Sequence, residues 1–446
     1  MKRVLLVTLP FYKLLGSHFN GMNLGVSSIA AVLESRNYDV GVYNADYYDS
    51  SKYLSQEELY GNYEHYLDVI QNASHPLWKE VVDTILEWNP SYLGISMLTA
   101  GYPIAKIICT KLKKVRPELN IIIGGVHATL AYQELIYDKC FDYVVRGEGE
   151  FSFLELVNNV PLESIKGLSF RDKSGSPVHN DDRPPIEPLD ILPFPSRDLH
   201  ITSTHMMDLG QIITGRGCPF GCTYCASPLL WKRRVRYRSI HDVVTELELI
   251  AKRYQSSMIY ISDDTFTLKK DRTMELCDQI ISRELNVTWK CDTRVDCLDD
   301  ELIAKMKEAG CDLIKIGVES GSDRVLKNIH KGITKDKIRE TVKLIKKHDI
   351  KLTAYLLIGF PGETDEDAQQ TIDFARELEA HYYSLSILTP YYGTEIYNYL
   401  SKDEFKSSKE HWEYFYHQNK KLLVNRDISE NMLNNFLAIN QNRVRI

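Results

Sequence analysis

Residues 215–225 read Gly-Arg-Gly-Cys-Pro-Phe-Gly-Cys-Thr-Tyr-Cys and set Cys218, Cys222 and Cys225 in the spacing CxxxCxxC. Iron–sulfur clusters are held by cysteine thiolates, usually four, so three thiolates on one short loop leave one iron open to a small molecule. Structural zinc sites usually have a second Cys or His pair at a matching spacing, and the sequence has none. The nine cysteines are odd in number and dispersed, which disfavours a disulfide framework. The spacing therefore favours an iron–sulfur cluster over zinc.

The sequence around this loop alternates apolar runs with amphipathic stretches. Strands are predicted at 211–214, 258–262, 288–291, 313–317, 351–358 and 383–389. Helices are predicted between them at 241–252, 273–283, 300–309, 335–348 and 365–378. Six successive βα units predict an incomplete α/β barrel of the TIM type, in which chemistry lies at the carboxyl ends of the strands. The cysteine loop follows the first of these strands and therefore lies at that edge.

The first third of the chain has the same alternation. Strands are predicted at 4–9, 40–44, 92–98, 120–124 and 143–146, with helical patterns such as 25–35 and 103–115 between them. Short apolar runs separated by helices predict parallel βαβ units and a doubly wound, Rossmann-like sheet. We therefore expect a front domain at 1–158, a proline-rich linker with a hairpin at 159–205, the barrel at 206–395 and a short helical C-terminal region at 396–446.

Composition restricts the class of protein. The 446 residues carry 54 basic and 61 acidic side chains, a net charge of −7, which gives no sign of a general nucleic-acid binder. The basic run 231–238 is thin evidence for RNA, and a solvated face or an anchoring role are the alternatives. No segment approaches the ~20 apolar residues of a membrane span. Unpaired cysteines suit a reducing compartment, so we expect a cytoplasmic protein.

The cysteine loop, with Tyr224 directly before its last cysteine, resembles the radical S-adenosylmethionine (SAM) superfamily. The resemblance implies a [4Fe–4S] cluster whose open iron chelates SAM, and electron transfer to the sulfonium that releases a 5′-deoxyadenosyl radical. A doubly wound domain ahead of the barrel is similar to that of cobalamin-binding radical SAM enzymes, and this likeness covers about residues 1–394. The implied cofactors are therefore the cluster, SAM and cobalamin.

The resemblance also implies residues for SAM at the strand ends of the barrel. Asp263 or Asp264 would receive the SAM ammonium, although acids at helix starts are also common caps. Arg294 suits a carboxylate because its guanidinium pairs two oxygens, although a buried ion pair with Glu319 is the alternative. The full set is Tyr224, Asp263, Asp264, Arg294, Glu319, Ser320 and Gly359. The residues Glu363 and Thr364, just beyond, are predicted to begin the next helix.

For cobalamin, the resemblance points to the strand ends of the front domain. The candidates are Thr8, Leu9, Ser96, Leu98, Thr99, Gly124, Gly125, Val126, His127, Gly147 and Glu148. Many cobalamin domains use an Asp-x-His-x-x-Gly motif whose histidine binds cobalt, and the chain has none. His127 lies in Gly-Val-His-Ala-Thr and does not match, so we expect no histidine ligand to cobalt.

Three hypotheses for function follow from the resemblance. The first is a cobalamin-dependent methyltransferase acting on an unactivated carbon of a small molecule or natural-product precursor, with electrons from a flavodoxin- or ferredoxin-like donor. The second is a cyclase or ring-rearranging enzyme with the same cofactors and no methyl transfer. In the third, the front domain binds no cofactor and serves as an interaction module. Tyr391 and Tyr392, after the sixth barrel strand, would wall the substrate cavity, with simple packing as the alternative.

Overall fold

Strands and helices alternate through residues 2–256, 258–400 and 409–440, which are the residues that this computed structural model describes. The strands, in chain order, are β1 Arg3–Thr8, β2 Asp39–Asn44, β3 Tyr92–Ser96, β4 Asn120–Gly124, β5 Tyr143–Val145, β6 Leu168–Arg171, β7 Pro177–His179, β8 Gln211–Ile212, β9 Gly215–Arg216, β10 Arg236–Tyr237, β11 Ile259–Ile261, β12 Trp289–Thr293, β13 Cys311–Glu319, β14 Lys351–Ile358 and β15 Tyr382–Ile387.

The α-helices alternate with these strands, and short 3₁₀ segments complete the loops. The helices are α1 Phe11–Leu14, α2 Leu24–Glu34, α3 Gln56–Gly61, α4 Tyr63–Gln71, α5 Pro76–Trp88, α6 Tyr102–Val115, α7 Val126–Leu130, α8 Tyr132–Leu135, α9 Gly149–Val157, α10 Ser227–Trp231, α11 Ile240–Leu249, α12 Lys270–Ser282, α13 Asp300–Glu308, α14 Asp323–Asn328, α15 Lys335–Lys347, α16 Asp365–Leu378 and α17 Glu430–Leu437. None of the helices in the described ranges combines the length and the apolar character that a bilayer crossing needs.

The chain divides into two compact units. The front unit comprises Met1–Asp208 together with Ser408–Tyr416, and the barrel unit comprises Leu209–Ser407 with His417–Ile446. The region predicted as helical at 396–446 is therefore shared between the two units. Its described part contains the 3₁₀ segment Lys409–Tyr414 and helix α17, and residues 401–408 and 441–446 of that prediction lie outside the described residues.

The front unit holds a seven-stranded sheet in the order β2-β1-β3-β4-β5-β6-β7. Its first five strands are parallel, as the sequence predicted. One face packs on helices α2 and α9 in a core that includes Val4, Ala30 and Phe153. Side chains on the other face of the sheet, such as Leu5, are also buried, so both faces of the sheet are covered. The predicted hairpin is present as β6 and β7, and it extends this sheet in antiparallel register.

The barrel unit holds six parallel strands in the order β15-β14-β13-β12-β11-β8, which confirms the partial (βα)₆ architecture. Along β12 to β15, alternate side chains are fully buried, for example Cys291, Ile316 and Leu356. The side chains between them are only half-buried and largely polar. The two faces of a strand point in opposite directions, so this sheet has one apolar face and one polar face.

Candidate functional site

The cysteine loop leaves the sheet through β9, which pairs in antiparallel register with β10. Gly217 opens the loop at φ +107°, and a Cβ there would lie 2.0 Å from the carbonyl oxygen of Arg234. Only glycine fits this backbone, because a side chain would meet both the left-handed strain and a rigid neighbour. Gly221 lies under the guanidinium of Arg233, which would be 2.4 Å from a Cβ. The basic run therefore packs on the loop at Arg233.

All three loop cysteines are free thiols and are half-buried. Burial raises the pKa of Cys225 to about 12 and raises that of Cys222, while Lys331 and Arg294 act in the opposite direction on Cys222. Iron binding requires the thiolates, so these cations favour the ligating form. Within the described residues, no three His, Cys, Asp or Glu side chains converge closely enough to hold one metal ion. A cluster has a different requirement, since each thiolate binds its own iron.

The two aspartates after β11 have different surroundings. Asp263 is buried and accepts hydrogen bonds at 2.6 Å from both the backbone N–H and the hydroxyl of Thr214. Burial raises its pKa to about 6. Asp264 is exposed and accepts hydrogen bonds from the hydroxyl of Ser227, at 2.8 Å, and from the side chain of Trp231. Asp263 thus ties neighbouring strands together, and the Asp264 carboxylate retains free acceptor capacity.

Arg294 is buried beside the cysteine loop. Its guanidinium stacks on Phe220, with 3.6 Å from Cζ to the ring centroid, and one nitrogen lies 4.0 Å from Cys222 Sγ. It forms a two-pronged ion pair with Asp296, at 2.9 Å for both bonds. The alternative of an Arg294–Glu319 ion pair is wrong, because each of the two side chains has another partner.

The partner of Glu319 is Lys331, which the sequence analysis missed. Their buried side chains meet at 2.6 Å, and the Lys331 ammonium also donates to the Tyr224 hydroxyl at 3.3 Å. A register shift in the β13–β14 pairing precedes Glu319, which adopts φ +65°. A non-glycine residue at this angle is strained by roughly 1–3 kcal/mol, and such strain concentrates at functional sites. The turn brings the carboxylate back over Gly317, where a Cβ would lie 2.3 Å from Glu319 Oε1.

The loop after β14 is closed by a buried carboxylate. Glu363 accepts hydrogen bonds from the backbone N–H groups of Gly359 and Phe360, at 2.6 and 2.9 Å. Asn425 donates to two carbonyls of the same loop, those of Phe360 and Glu363. Thr364 does cap helix α16, but the prediction that Glu363 begins that helix is wrong, since its carboxylate organises the loop. Gly359 itself adopts φ +99°.

Three further residues were predicted for the barrel site, and contacts with neighbouring side chains are seen for Ser320 and Tyr392. Ser320 is fully buried, and its hydroxyl contacts that of Thr371 at 3.1 Å and accepts from the Ser322 N–H. Tyr391 and Tyr392 are half-buried just after β15, where the structure places a turn. The Tyr392 ring packs on Tyr397 with 5.0 Å between centroids.

In the front unit, the strand register brings the predicted cobalamin residues together. Thr8 pairs with Ser96, and Ser96 pairs with Gly124, so three strand ends lie side by side. Gly125 follows at φ +92°, and a Cβ there would lie 2.9 Å from the Ser96 hydroxyl. The next residue after Thr8, Leu9, is buried. The edge is thus lined by small and hydroxyl side chains that allow a ligand to approach the backbone.

His127 lies below this edge, in the first turn of α7, next to the half-buried Val126. Its Nδ1 lies 3.2 Å from the Thr99 hydroxyl, and its buried Nε2 has no hydrogen-bond partner among the residues that the structure describes. Trp412, from the C-terminal segment, covers the ring edge-on at 4.3 Å between centroids, and Tyr102 packs on both. Burial lowers the pKa of His127 to about 3, so the ring is neutral.

The last three candidates flank the same edge. Gly147 is exposed at φ +68°, and a Cβ there would meet no atom of the described residues within 4 Å; its N–H donates to the Thr129 hydroxyl at 2.9 Å. Leu98 is 63% exposed, which is unusual for a leucine among buried neighbours. Glu148 accepts a hydrogen bond at 2.7 Å from the backbone N–H of Ile186.

Comparison with known proteins agrees with this geometry. Residues 212–375 match the model of the radical SAM superfamily, and residues 16–157 match that of the B12 binding domain. An uncharacterised methyltransferase of Pyrococcus horikoshii is 34% identical over 345 residues, covering 75% of each chain. The chain belongs to the cobalamin-binding radical SAM enzymes. The match of residues 16–157 to the B12 binding domain argues against the third hypothesis, in which the front domain binds no cofactor.

Two more distant similarities are consistent with this family. Anaerobic magnesium-protoporphyrin IX monomethyl ester cyclase of Rubrivivax gelatinosus is 27% identical, over 72% of this chain and 60% of that protein. The structure of the radical SAM methyltransferase TsrM from Kitasatospora setae superposes with a TM-score of 0.69 at 18% identity, over 90% of this chain and 76% of that one. At that identity the match bears on the fold alone.

The cofactors of this radical SAM enzyme are a [4Fe–4S] cluster, SAM and cobalamin, and the residues present fit them. The cysteine loop offers three free thiols beside two cations. The strand ends of the front unit offer open space above Gly147 and the hydroxyls of Thr8 and Ser96, which lie side by side in the register.

Proposed function

We propose that this enzyme is a methyltransferase that adds a methyl group to an unactivated carbon of a small-molecule precursor. The observation that carries the proposal is that one chain contains both the cysteine loop and the strand ends of the front unit, with Gly125 and Gly147 beside them. The 34% identity to the Pyrococcus methyltransferase supports it. When bound, the cluster and SAM supply a 5′-deoxyadenosyl radical, and cobalamin supplies the methyl group.

Within the barrel, Asp264 is the proposed acceptor of the SAM ammonium, since Asp263 is engaged with Thr214. Arg294 is the proposed partner of the SAM carboxylate, because its position beside Cys222 places the cation at the cluster loop. Its pairing with Asp296 leaves Nη1 directed toward that cysteine. The adenine is proposed to lie against Gly359, whose loop conformation is held by Glu363.

In the front unit, the nucleotide tail of cobalamin is proposed to lie along Ser96, Gly124 and Gly125, where hydroxyl and backbone groups are available. His127 is not proposed as a cobalt ligand, since it is buried under Trp412 and lacks the motif. This assignment leaves the lower face of the corrin without a histidine.

The test is anaerobic reconstitution with iron, sulfide and hydroxocobalamin, followed by desalting and metal counts. We expect about one cobalamin and four irons per chain, and release of both 5′-deoxyadenosine and S-adenosylhomocysteine from SAM under reducing conditions. Retention of the cluster without cobalamin would overturn the proposal.

The second candidate function is a cyclisation or ring rearrangement, which the likeness to the Rubrivivax cyclase favours. Both reactions need the same binding residues, so products must separate them. 5′-Deoxyadenosine without S-adenosylhomocysteine would favour the cyclase. We further propose a cytoplasmic location and a flavodoxin- or ferredoxin-like electron donor, because an open cluster requires a reducing environment.

A further inference from the structure

The polar face of the barrel sheet carries a group of charged and phenolic side chains below the SAM site. Lys290 and Asp292 lie on β12, Lys315 on β13, Tyr260 on β11 and Tyr355 on β14. All five are half-buried, whereas the alternate residues of these strands are buried against helices. The register pairs Tyr260 with Lys290 and Asp292 with Lys315, so the five side chains are neighbours on one face.

The carboxylate of this group is held by the tyrosines. The hydroxyls of Tyr260 and Tyr355 both donate to Asp292, the latter at 2.9 Å, one to each carboxylate oxygen. Burial, followed by the nearby carboxylate, raises the pKa of both tyrosines, which keeps them protonated as donors. Asp292 is therefore fixed in place by two hydroxyl groups.

The two ammonium groups both lie close to one aromatic ring, that of Tyr260. Lys315 Nζ is 4.3 Å and Lys290 Nζ is 5.3 Å from the centroid of Tyr260. In the part of the chain that the structure describes, no carboxylate lies within 4.0 Å of either ammonium. Burial lowers the pKa of Lys315, Asp292 opposes this effect, and the like charge of Lys290 adds to it.

Among these five half-buried side chains there are two cations and one anion, so the group itself carries an excess positive charge. A partly desolvated ammonium is costly to the fold unless it has a partner, and the carboxylate of this group, Asp292, accepts its hydrogen bonds from the tyrosines. Ser384 lies beside Tyr355 in the register and offers a further hydroxyl on the same face. The arrangement matches the needs of an oxygen-rich anion, for which ammonium groups are common ligands.

We propose that Lys290 and Lys315 bind an anionic oxygen group, carboxylate or phosphoryl, of the substrate. The inference rests on the proposed function in that the bound molecule is its substrate. It narrows the substrate class to small acids, and it gives the polar face of the barrel a role in orienting the carbon that reacts.

The experiment uses the reconstituted full chain with saturating SAM, so that the carboxylate of SAM occupies its own site. Acetate, methylphosphonate and the neutral acetamide serve as probes in methyl-proton saturation-transfer NMR. Lys290→Met and Lys315→Met keep the side-chain length and remove the charge, and Lys343→Met on the exposed face of α15 is the matched control. Thermal unfolding verifies that each variant is folded, and Lys315→Arg tests for rescue by charge.

We expect acetate or methylphosphonate to bind and acetamide not to bind. Each Met variant should weaken anion binding by about tenfold, as expected for loss of a charged hydrogen bond, while Lys343→Met and Lys315→Arg retain it. The ratio of the affinities for acetate and for methylphosphonate distinguishes a carboxylate site from a phosphoryl site. Equal binding of acetamide, or unchanged anion binding in the Lys290→Met/Lys315→Met protein, would overturn the inference.

Failure of this inference and failure of the proposed function have different signatures. Loss of cobalamin retention in the wild-type protein, with lysine-dependent anion binding intact, would remove only the methyltransferase proposal. If cobalamin is retained and S-adenosylhomocysteine is released, but anion binding is the same with and without both lysines, only the inference about the substrate class would be overturned.

Discussion

Replacing Gly317 by alanine should break the buried ion pair above it. The new Cβ would lie 2.3 Å from Glu319 Oε1 and 2.5 Å from Lys331 Nζ, where ordinary contacts begin at 3.4 Å. Both charged groups must therefore move by about 1 Å, and we expect this movement to disrupt their 2.6 Å contact because both side chains are buried. Breaking a buried pair costs roughly 3–5 kcal/mol, which corresponds to a fall in Tm of about 6–20 °C for a unit of this size.

The assay is thermal unfolding by circular dichroism of the anaerobically reconstituted protein. Gly61→Ala is the control, since a methyl group there meets nothing within 4 Å and should leave Tm unchanged or slightly higher. In a protein that already carries Lys331→Met, the Lys331–Glu319 ion pair is absent, so adding Gly317→Ala should lower Tm only slightly further. A Tm within about 2 °C of wild type, or full additivity with Lys331→Met, would refute the reasoning.

Three other predictions concern the cluster, the front unit and the loop after β14. Cys222→Ala should lower bound iron and abolish 5′-deoxyadenosine release; normal iron content would contradict the ligand assignment. Gly125→Ala places a methyl group 2.9 Å from the Ser96 hydroxyl at φ +92°, and should abolish cobalamin retention while iron content is unchanged. Burial raises the Glu363 pKa from 4.5 to about 7, so the folded state binds an extra proton and stability falls as pH rises from 4.5 to 7, by up to roughly 3 kcal/mol. Glu363→Gln should reduce the pH slope of stability in urea unfolding by that amount, whereas Glu366→Gln, at an exposed position, should leave the slope unchanged.

The alternation of apolar runs was sufficient to predict both sheets. Each predicted strand of the barrel has its counterpart among β8 and β11 to β15, although boundaries differ: β13 extends to Glu319 because a register shift prolongs the pairing. The hairpin was predicted as part of a linker, yet it joins the front sheet. Local pattern identifies a hairpin, but it does not specify the edge on which that hairpin pairs.

The sequence by itself determined the family of chemistry, because three cysteines at CxxxCxxC are a local signal that needs no knowledge of distant residues. Only the tertiary structure decided which charged side chains form ion pairs. Lys331 pairs with Glu319 only because a turned strand end points back over Gly317, and Asn425 reaches the Glu363 loop from more than sixty residues away. The lysines beside Tyr260 likewise come together through strand register. Such contacts depend on the three-dimensional path of the backbone, to which neither spacing nor composition is sensitive.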